Sequence, residues 1–134
     1  MNSEAHTEVI KYWWAQAEAC LASARRERNS GSCTFAANRL YYAAFYAVSA
    51  ALLDRGLRSR KHSGVRAAFR REFVATKLLD TEWGKLYDQL LEDRQEGDYL
   101  AMVDFDQAYI EEQLERCARF LQQLRPMISA LHDG

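Results

Sequence analysis

The fold is decided by the stretch TFAANRLYYAAFYAVSAALLD, residues 34–54, because alanine recurs through it at helical intervals. Small side chains allow neighbouring helices to approach closely. The stretch therefore predicts the central helix of a bundle, capped by Ser32 or Thr34 and running to about Leu53. The small residues are Ala36, Ala37, Ala43, Ala44, Ala47, Ala50 and Ala51.

The segments on either side of this stretch also carry the helical period. A first helix is predicted from about Glu4 to Asn29, and it ends at the segment SGS, where Gly31 suits a left-handed terminal residue. After the central helix, Gly56 breaks the pattern and residues 57–61 form a mostly polar loop. A shorter helix is predicted from about Ser63 to Ala75.

Two more helices complete the prediction. Asp80 caps a fourth helix that Gly97 ends, and a loop spans 97–103. Asp104 with Gln107 resembles a capping box and starts the last helix, which Pro126 should kink or end. Its apolar seam is Ile110, Leu114, Cys117, Leu121, Leu124, Ile128 and Leu131. No segment alternates as a strand does, so we predict one all-α domain over residues 1–134, an antiparallel bundle of four to five helices.

Composition narrows the class of protein. Apolar residues make up 49% and charged residues 28%, ordinary values for a globular protein. No run approaches the ~18 apolar residues of a membrane span, and the N-terminus lacks the layout of a signal peptide. Cys20, Cys33 and Cys117 are not in metal-ligand spacing. We expect a cytoplasmic protein with three reduced, buried cysteines and no metal, cofactor or membrane.

Charge is segregated along the chain. From Arg55 to Lys77 there are eight basic residues and one acid, a charge of +7, and from Leu78 to Gly134 five basic and thirteen acidic residues give −8. Such asymmetry concerns partners and not the fold. The basic segment could contact phosphates, or it could face the acidic half of its own fold or of a second subunit.

Two arginines fall where the helical period expects apolar side chains. Arg39 lies within the stripe of the central helix, and Arg94 comes four residues after Leu90. A guanidinium keeps its charge, so burying it requires acceptors, and Asp98 and Glu96 are the candidates. Tyr42 and Tyr46 add hydroxyls to this neighbourhood. Two interpretations remain open: a buried brace between helices, or a cleft in which an arginine holds phosphate while a nearby acid or base handles a proton.

Four motifs, in order, resemble a known family. They are NRLYYAAFYAVSAALLDRGL (38–57), KHSG (61–64), FRREF (69–73) and Y-x-x-L-L-x-x-R-Q-E-G-D-Y (87–99). Together they resemble the HEPN superfamily, and more narrowly its small stand-alone bacterial and archaeal proteins with an R-x-x-(Ala/Gly)-Asp-Tyr motif. The resemblance implies a bundle that commonly dimerises, with sites near the subunit interface. Many members are metal-independent ribonucleases, others are toxins neutralised by a minimal nucleotidyltransferase antitoxin, and some act only as binding or scaffold domains.

The nuclease motif is incomplete in this chain. Nuclease members have an arginine, four to six further residues and then a histidine. Arg94 fits the arginine, but the positions open to the histidine hold Tyr99, Leu100 and Ala101. Asp98 could accept a proton, although a neighbouring arginine should lower its pKa and weaken it as a base.

Two other residues could serve the site. Tyr99 resembles the tyrosine that closes the toxin motif, to which the antitoxin can attach nucleotides. His62 precedes a short helix whose N-terminus could hold an anion, and it could supply the imidazole from elsewhere in the fold. It could equally cap that helix.

We predict a toxin–antitoxin or defence component that binds RNA, nucleotides or a nucleotidyltransferase partner. The alternatives are an active metal-independent endoribonuclease toxin and a non-catalytic dimeric scaffold in which the arginines form a brace. The expected partners are a second copy of the chain, a nucleotidyltransferase antitoxin and RNA. The candidate catalytic residues are Arg94, Asp98 and His62. The candidate phosphate-binding residues are Arg39, Arg60, Lys61, Arg66 and Arg70, and the lining residues are Tyr42, Tyr46, Glu96 and Tyr99.

Overall fold

The computed structural model describes residues 3–59, 61–99 and 104–132. Over these ranges the chain forms five α-helices and no strand, which confirms the all-α prediction. The helices are α1 (Ser3–Asn29), α2 (Cys33–Asp54), α3 (His62–Phe69), α4 (Thr81–Tyr99) and α5 (Gln107–Leu124). A π-helical turn, Arg70–Val74, continues α3, and two 3₁₀ turns, Arg125–Met127 and Ser129–Leu131, follow α5.

Helix α2 is the centre of the bundle, as its alanines predict. It packs against each of the other four helices. Its alanines are buried, so the backbones of its neighbours come close on several sides. Arg39 and Tyr42, two half-buried residues of α2, lie at the site described below.

The neighbours α1 and α4 both run antiparallel to α2. Trp13, early in α1, lines a small cavity together with Leu52 and Leu53 at the end of α2. Gly31 has φ +86° in the connecting turn, the left-handed conformation that its position predicts. On α4, Asp98 near the C-terminus meets Asn38 near the start of α2. This arrangement places the last turns of α4 beside the first turns of α2.

Helix α4 extends past the end that the sequence predicts. Gly97 does not stop it, since the helix continues to Tyr99. A Cβ atom at position 97 would lie 3.1 Å from Cγ2 of Thr34 and 3.4 Å from Cε2 of Phe105. Glycine at position 97 therefore allows α4 to lie close to Thr34 and Phe105, and it does not form a turn. Of the predicted loop 97–103, residues 100–103 lie outside the described ranges.

Helix α5 starts and ends at positions that local chemistry explains. Its N-cap is Asp106 and not Asp104, because the Asp106 carboxylate accepts the N–H of Ala108 at 3.1 Å. The helix ends at Leu124, before Pro126, whose ring cannot continue it. The sequence assigns Ile128 and Leu131 to the same helix. In the structure Ile128 lies between the two 3₁₀ turns, and Leu131 ends the second of them.

A buried carboxylate that the sequence analysis did not single out connects α4 to α5. Asp93 is 4% exposed. Its oxygens accept the hydroxyl of Tyr109 at 2.5 Å and the amide N–H of Gln89 at 2.9 Å. Burial raises the pKa of Tyr109, and the bond to Asp93 raises it further. The hydroxyl of Tyr109 therefore keeps its proton and donates it to the Asp93 carboxylate.

Candidate functional site

A cleft of about 470 Å³ opens where the first turn of α3 meets α2 and α4. Side chains from three separate segments form its wall. They are Tyr42 from α2, His62, Ser63 and Arg66 from α3, and Leu91, Arg94 and Gln95 from α4. The cleft thus gathers two arginines, one histidine and two hydroxyl groups in one place.

Arg94 is held from two directions. Its Nε donates to Oδ2 of Asp98 at 3.0 Å, one turn later on α4. Its guanidinium lies 5.4 Å from the ring centroid of Tyr41 and 5.3 Å from that of Tyr42, distances typical of cation–π contacts. The side chain is 22% exposed and that of Asp98 is 31% exposed. The arginine is thus oriented by its neighbours while part of its fork remains accessible from the cleft.

Arg39 approaches the same ring but finds a different acceptor from the carboxylate that the sequence suggests. Its Nε and Nη2 donate to Oδ1 of Asn38 at 3.0 and 2.6 Å. The amide of Asn38 in turn donates to Asp98 at 3.4 Å. Since the guanidinium of Arg39 also lies 5.3 Å from the Tyr42 centroid, both arginines flank one aromatic ring. Asn38 thus connects the two arginines, since it donates to Oδ1 of Asp98 while Arg94 donates to Oδ2.

His62 is the first residue of α3 and lines the cleft together with Arg94. Its Nδ1 lies 2.8 Å from the hydroxyl of Tyr41, and its ring stacks on Phe45 with centroids 4.2 Å apart. Partial burial lowers the pKa of His62, and the charge of Arg94 lowers it further. The imidazole is therefore neutral at neutral pH.

The basic residues expected to bind phosphate are distributed differently around the cleft. Arg66 lines it but also donates to Asp88 at 2.7 Å. Arg70 forms an ion pair with the same Asp88 and lies outside the lining. Lys61 is exposed just before α3 and is not part of the lining either. Arg60 lies outside the described residues.

The four residues expected to line the site do not share one location. Tyr42 lines the cleft. The ring of Tyr46 lies 6.2 Å from the ring of Tyr42, between centroids, and is not part of the lining. Glu96 is exposed on α4 and Tyr99 is 78% exposed at the end of that helix. The structure therefore brings Arg94, His62, Arg66 and Tyr42 together and leaves Glu96 and Tyr99 outside the cleft.

Four residues of the site were missed by sequence reasoning. Leu91 and Gln95 share the face of α4 that carries Arg94, so their spacing could have indicated them. Ser63 is the neighbour of His62. Tyr41 is buried, and its hydroxyl is hydrogen-bonded to His62. From the sequence alone it is indistinguishable from an ordinary aromatic residue of the core.

The described ranges hold neither a cluster of metal ligands nor a helix suited to span a membrane. No group of three or more histidine, cysteine or acidic side chains is arranged there to hold a metal ion. No helix in those ranges combines the length and apolar character that a membrane span needs.

The chain is similar to known proteins over most of its length. The sequence model of the HEPN domain matches residues 10–126. A "UPF0332 protein" of Thermotoga maritima is 40% identical over 124 residues, which cover 92% of this chain and 94% of the relative. A protein of Methanocaldococcus jannaschii named "Putative toxin MJ0142" is 34% identical over 110 residues, covering 82% of this chain and 75% of the relative.

Proposed function

The chain belongs to the HEPN family, and from that premise we propose that it is a cytoplasmic, toxin-like component of a toxin–antitoxin or defence module. Its cleft binds a phosphate group of single-stranded RNA. The observation that carries the proposal is the meeting of Arg94 and His62 in one cleft. The name of the archaeal relative supports the toxin context.

The chemistry of the cleft suits an anionic ligand. A guanidinium offers several N–H donors in a fork that matches phosphoryl oxygens, and one bond to Asp98 leaves the others for a ligand. Arg66 adds a second positive charge to the same wall. An anion bound between them meets donors that are already oriented, Arg94 by Tyr41 and Asp98, and Arg66 by Asp88.

RNA cleavage is the second candidate function, favoured by the same arginine and histidine. In nuclease members of the family the histidine follows the arginine in the chain, whereas His62 comes from the start of α3. Cleavage requires a group that takes the proton of the ribose 2′-hydroxyl. Binding requires no base, and for that reason we place binding first.

The experiment measures binding of a fluorescent single-stranded RNA at low salt, together with a gel assay for cleavage products. Arg94→Ala should weaken binding by about 10- to 150-fold, because one charge-assisted contact contributes about 1.5–3 kcal/mol. His62→Ala should weaken binding less. Arg119→Ala, which removes an exposed arginine of α5 outside the cleft lining, is the matched control.

Four outcomes decide between the functions. Absence of RNA binding by the folded protein refutes the proposal, as does equal binding by wild type and Arg94→Ala. Cleavage products that disappear in folded Arg94→Ala assign the nuclease function. Bound but intact RNA assigns the binding function alone.

We also propose a nucleotidyltransferase antitoxin as a partner, with Tyr99 as the residue that receives the nucleotide. The support is its position at the end of the R-Q-E-G-D-Y motif and its 78% exposure. Co-expression with such an enzyme should add nucleotide mass to wild type and not to Tyr99→Phe. Tyr12→Phe, which alters another well-exposed tyrosine, is the control. Unmodified wild type would refute this role.

A homodimer is the third part of the proposal. Phe35 at the start of α2 is a large apolar side chain that is 66% exposed. Apolar side chains of this size at the surface are frequent in interfaces between subunits. Light scattering should give twice the mass of one chain, and Phe35→Ser should shift it toward a single copy. A monomeric wild type at micromolar concentration contradicts the dimer.

A further inference from the structure

The imidazole ring of His62 is one half of a stacked pair. It lies over the ring of Phe45, with centroids 4.2 Å apart and planes inclined by 23°. Phe45 is a half-buried residue of α2 and is not part of the cleft lining. The face of His62 that covers Phe45 is therefore turned away from the cleft.

Two tyrosines lie beside this pair and not on top of it. The centroid of Tyr42 is 5.9 Å from that of His62 and 6.1 Å from that of Phe45. The centroid of Tyr41 is 5.8 Å from that of His62 and 6.0 Å from that of Phe45. A ring on the opposite face of the imidazole, its outer face, would lie much farther from Phe45 than from His62. Both tyrosines therefore flank the stack, and neither covers the outer face.

The outer face of His62 is open to the cleft. His62 is an exposed residue and lines the cleft, although one of its faces is covered by Phe45. Its Nδ1 edge is hydrogen-bonded to Tyr41. The surface that remains for a ligand is the outer face together with the Nε2 edge. Because the neighbouring rings already hold the imidazole in place, a ligand spends little free energy on ordering it.

The same cleft combines this aromatic face with positive charge. Arg94 and Arg66 line it together with His62. The other aromatic ring of the lining, that of Tyr42, is already in contact with the guanidinium of Arg94 at 5.3 Å. The volume of about 470 Å³ lies within the range of about 300–1,000 Å³ that is typical of small-ligand sites. The arrangement suits a ligand that has a flat ring and a negative charge close together, as a nucleotide does.

We propose that the outer face of His62 is a stacking platform for one nucleobase of RNA, whose phosphate group lies beside Arg94 in the same cleft. This inference rests on the proposed function and names the second part of the ligand that the site recognises. The base continues the stack that Phe45 and His62 begin. Every base has a flat π-face, so the platform accepts bases of any identity. It selects unpaired bases, because the bases of a double helix are already stacked on their neighbours.

The direct test is a double-mutant cycle between the bases of the RNA and the side chain of His62. Fluorescence titrations measure how wild type and His62→Ala bind a single-stranded RNA hexanucleotide and an abasic hexanucleotide with the same sugar–phosphate chain. Wild type should bind the abasic chain about fivefold more weakly, the lower end of what stacking of one base contributes, because imidazole is a small ring. His62→Ala should lose this preference. An equal preference for bases in both proteins overturns the proposal.

His62→Phe separates stacking from hydrogen bonding. Phenylalanine keeps an aromatic face and removes both ring nitrogens, so the preference for bases should remain. Tyr12→Ala, which removes an exposed tyrosine of α1 outside the lining, is the control and should bind both chains as wild type does. Circular dichroism verifies the fold of each variant. A folded His62→Phe without the preference for bases would show that the imidazole acts through its nitrogens, and it would refute the platform.

Salt dependence distinguishes the base from the phosphate. Stacking releases no counterions, so the slope of log affinity against log salt should be the same for wild type and His62→Ala. Arg94→Ala should reduce that slope by about 0.7, the value of one phosphate contact with a single strand. A similar reduction in His62→Ala would mean that His62 contacts phosphate as a cation, which contradicts the platform.

The failure of this proposal differs from the failure of the proposed function. Binding of both hexanucleotides that depends on Arg94 and is indifferent to His62 refutes the platform and retains the function. Absence of RNA binding by the folded wild type refutes the function, and the platform with it.

Discussion

The guanidinium of Arg94 contributes to the fold and to the site together. It packs over the rings of Tyr41 and Tyr42, donates to Asp98 and lines the cleft. With side chains 22% and 31% exposed, the Arg94–Asp98 pair is only partly removed from water. Partly exposed pairs one turn apart on a helix contribute little to stability. At the scale of single residues, the arginine is therefore placed where its loss affects a ligand more than the fold.

Asp98→Ala should lower the free energy of unfolding by about 0.5–1 kcal/mol, because the pair is partly screened by solvent. This is much less than the ~3–5 kcal/mol of a stranded buried charge. Urea denaturation measures the difference, and Glu96→Ala, which alters an exposed acid two residues earlier, is the control. A loss above about 3 kcal/mol in Asp98→Ala would support the interpretation of a purely structural brace.

His62 should make stability depend on pH in a defined direction. Its pKa is lowered in the folded protein by burial and by Arg94, so the unfolded chain binds the proton more tightly. Stability should fall as the pH drops through about 6.5 toward the lowered pKa, and this contribution should vanish above that range. The unfolding free energies of wild type and His62→Gln, compared at pH 7.5 and 5, measure it. Identical pH dependence in both proteins would contradict the lowered pKa.

At the scale of elements, α4 carries two chemically distinct faces. One presents Arg94 to α2 and the cleft. The next residue back, Asp93, points to α5 and is bonded to Tyr109 and, within α4, to Gln89. Because the two faces belong to one rigid helix, the contact with α5 positions the arginine in the cleft. A structural acid and a site arginine thus stand side by side in the chain.

Asp93→Ala should lower the free energy of unfolding by about 2–3 kcal/mol. It removes hydrogen bonds to a charged group, and the Tyr109 hydroxyl loses the carboxylate to which it donates. Thermal and urea denaturation are the measurements. Glu92→Ala removes an exposed acid from the same turn and should change stability little. Equal losses in the two variants would show that the buried carboxylate contributes no more than a surface charge.

At the scale of the whole molecule, the segregated charges partly neutralise each other. Asp88, from the acidic half of the sequence, forms ion pairs with Arg66 and Arg70 of the basic segment. These two arginines therefore face the acidic half of the same fold, which is one of the two interpretations of the basic segment. Arg58 and Lys61 are exposed and form no ion pair within the described ranges. Lys61 directly precedes His62 of the cleft in the chain.

Asp88→Asn should strengthen RNA binding, because it releases two arginines that the carboxylate now neutralises. The slope of log affinity against log salt should become steeper by about 0.7–1.4, the value expected for one or two more phosphate contacts with a single strand. Binding titrations at several salt concentrations measure the slope. Asp80→Asn, which alters an exposed acid before α4, is the control. Weaker binding by Asp88→Asn would mean that Arg66 needs Asp88 for its orientation.

The sequence by itself determined the helices, the central place of α2 and the class of the fold. These features depend on local signals, namely the helical period, the alanine content and the glycine at position 31. Each signal involves residues close together in the chain, so the sequence alone reveals it. The end of α4 was not predicted, because Gly97 serves contact with Thr34 and Phe105, which no local pattern reveals. The family resemblance made this prediction more specific, because it implies the HEPN fold.

The site was decided by the tertiary structure. Arg94 and His62 were both candidates from the sequence, but only the crossing of α4 with α2 and the first turn of α3 brings them to one cleft. The acceptor of Arg39, the buried role of Asp93 and the link between Tyr41 and His62 depend on which helix faces meet. Those faces are set by the rotation and packing of whole helices, a long-range property that a period of 3.6 residues does not contain.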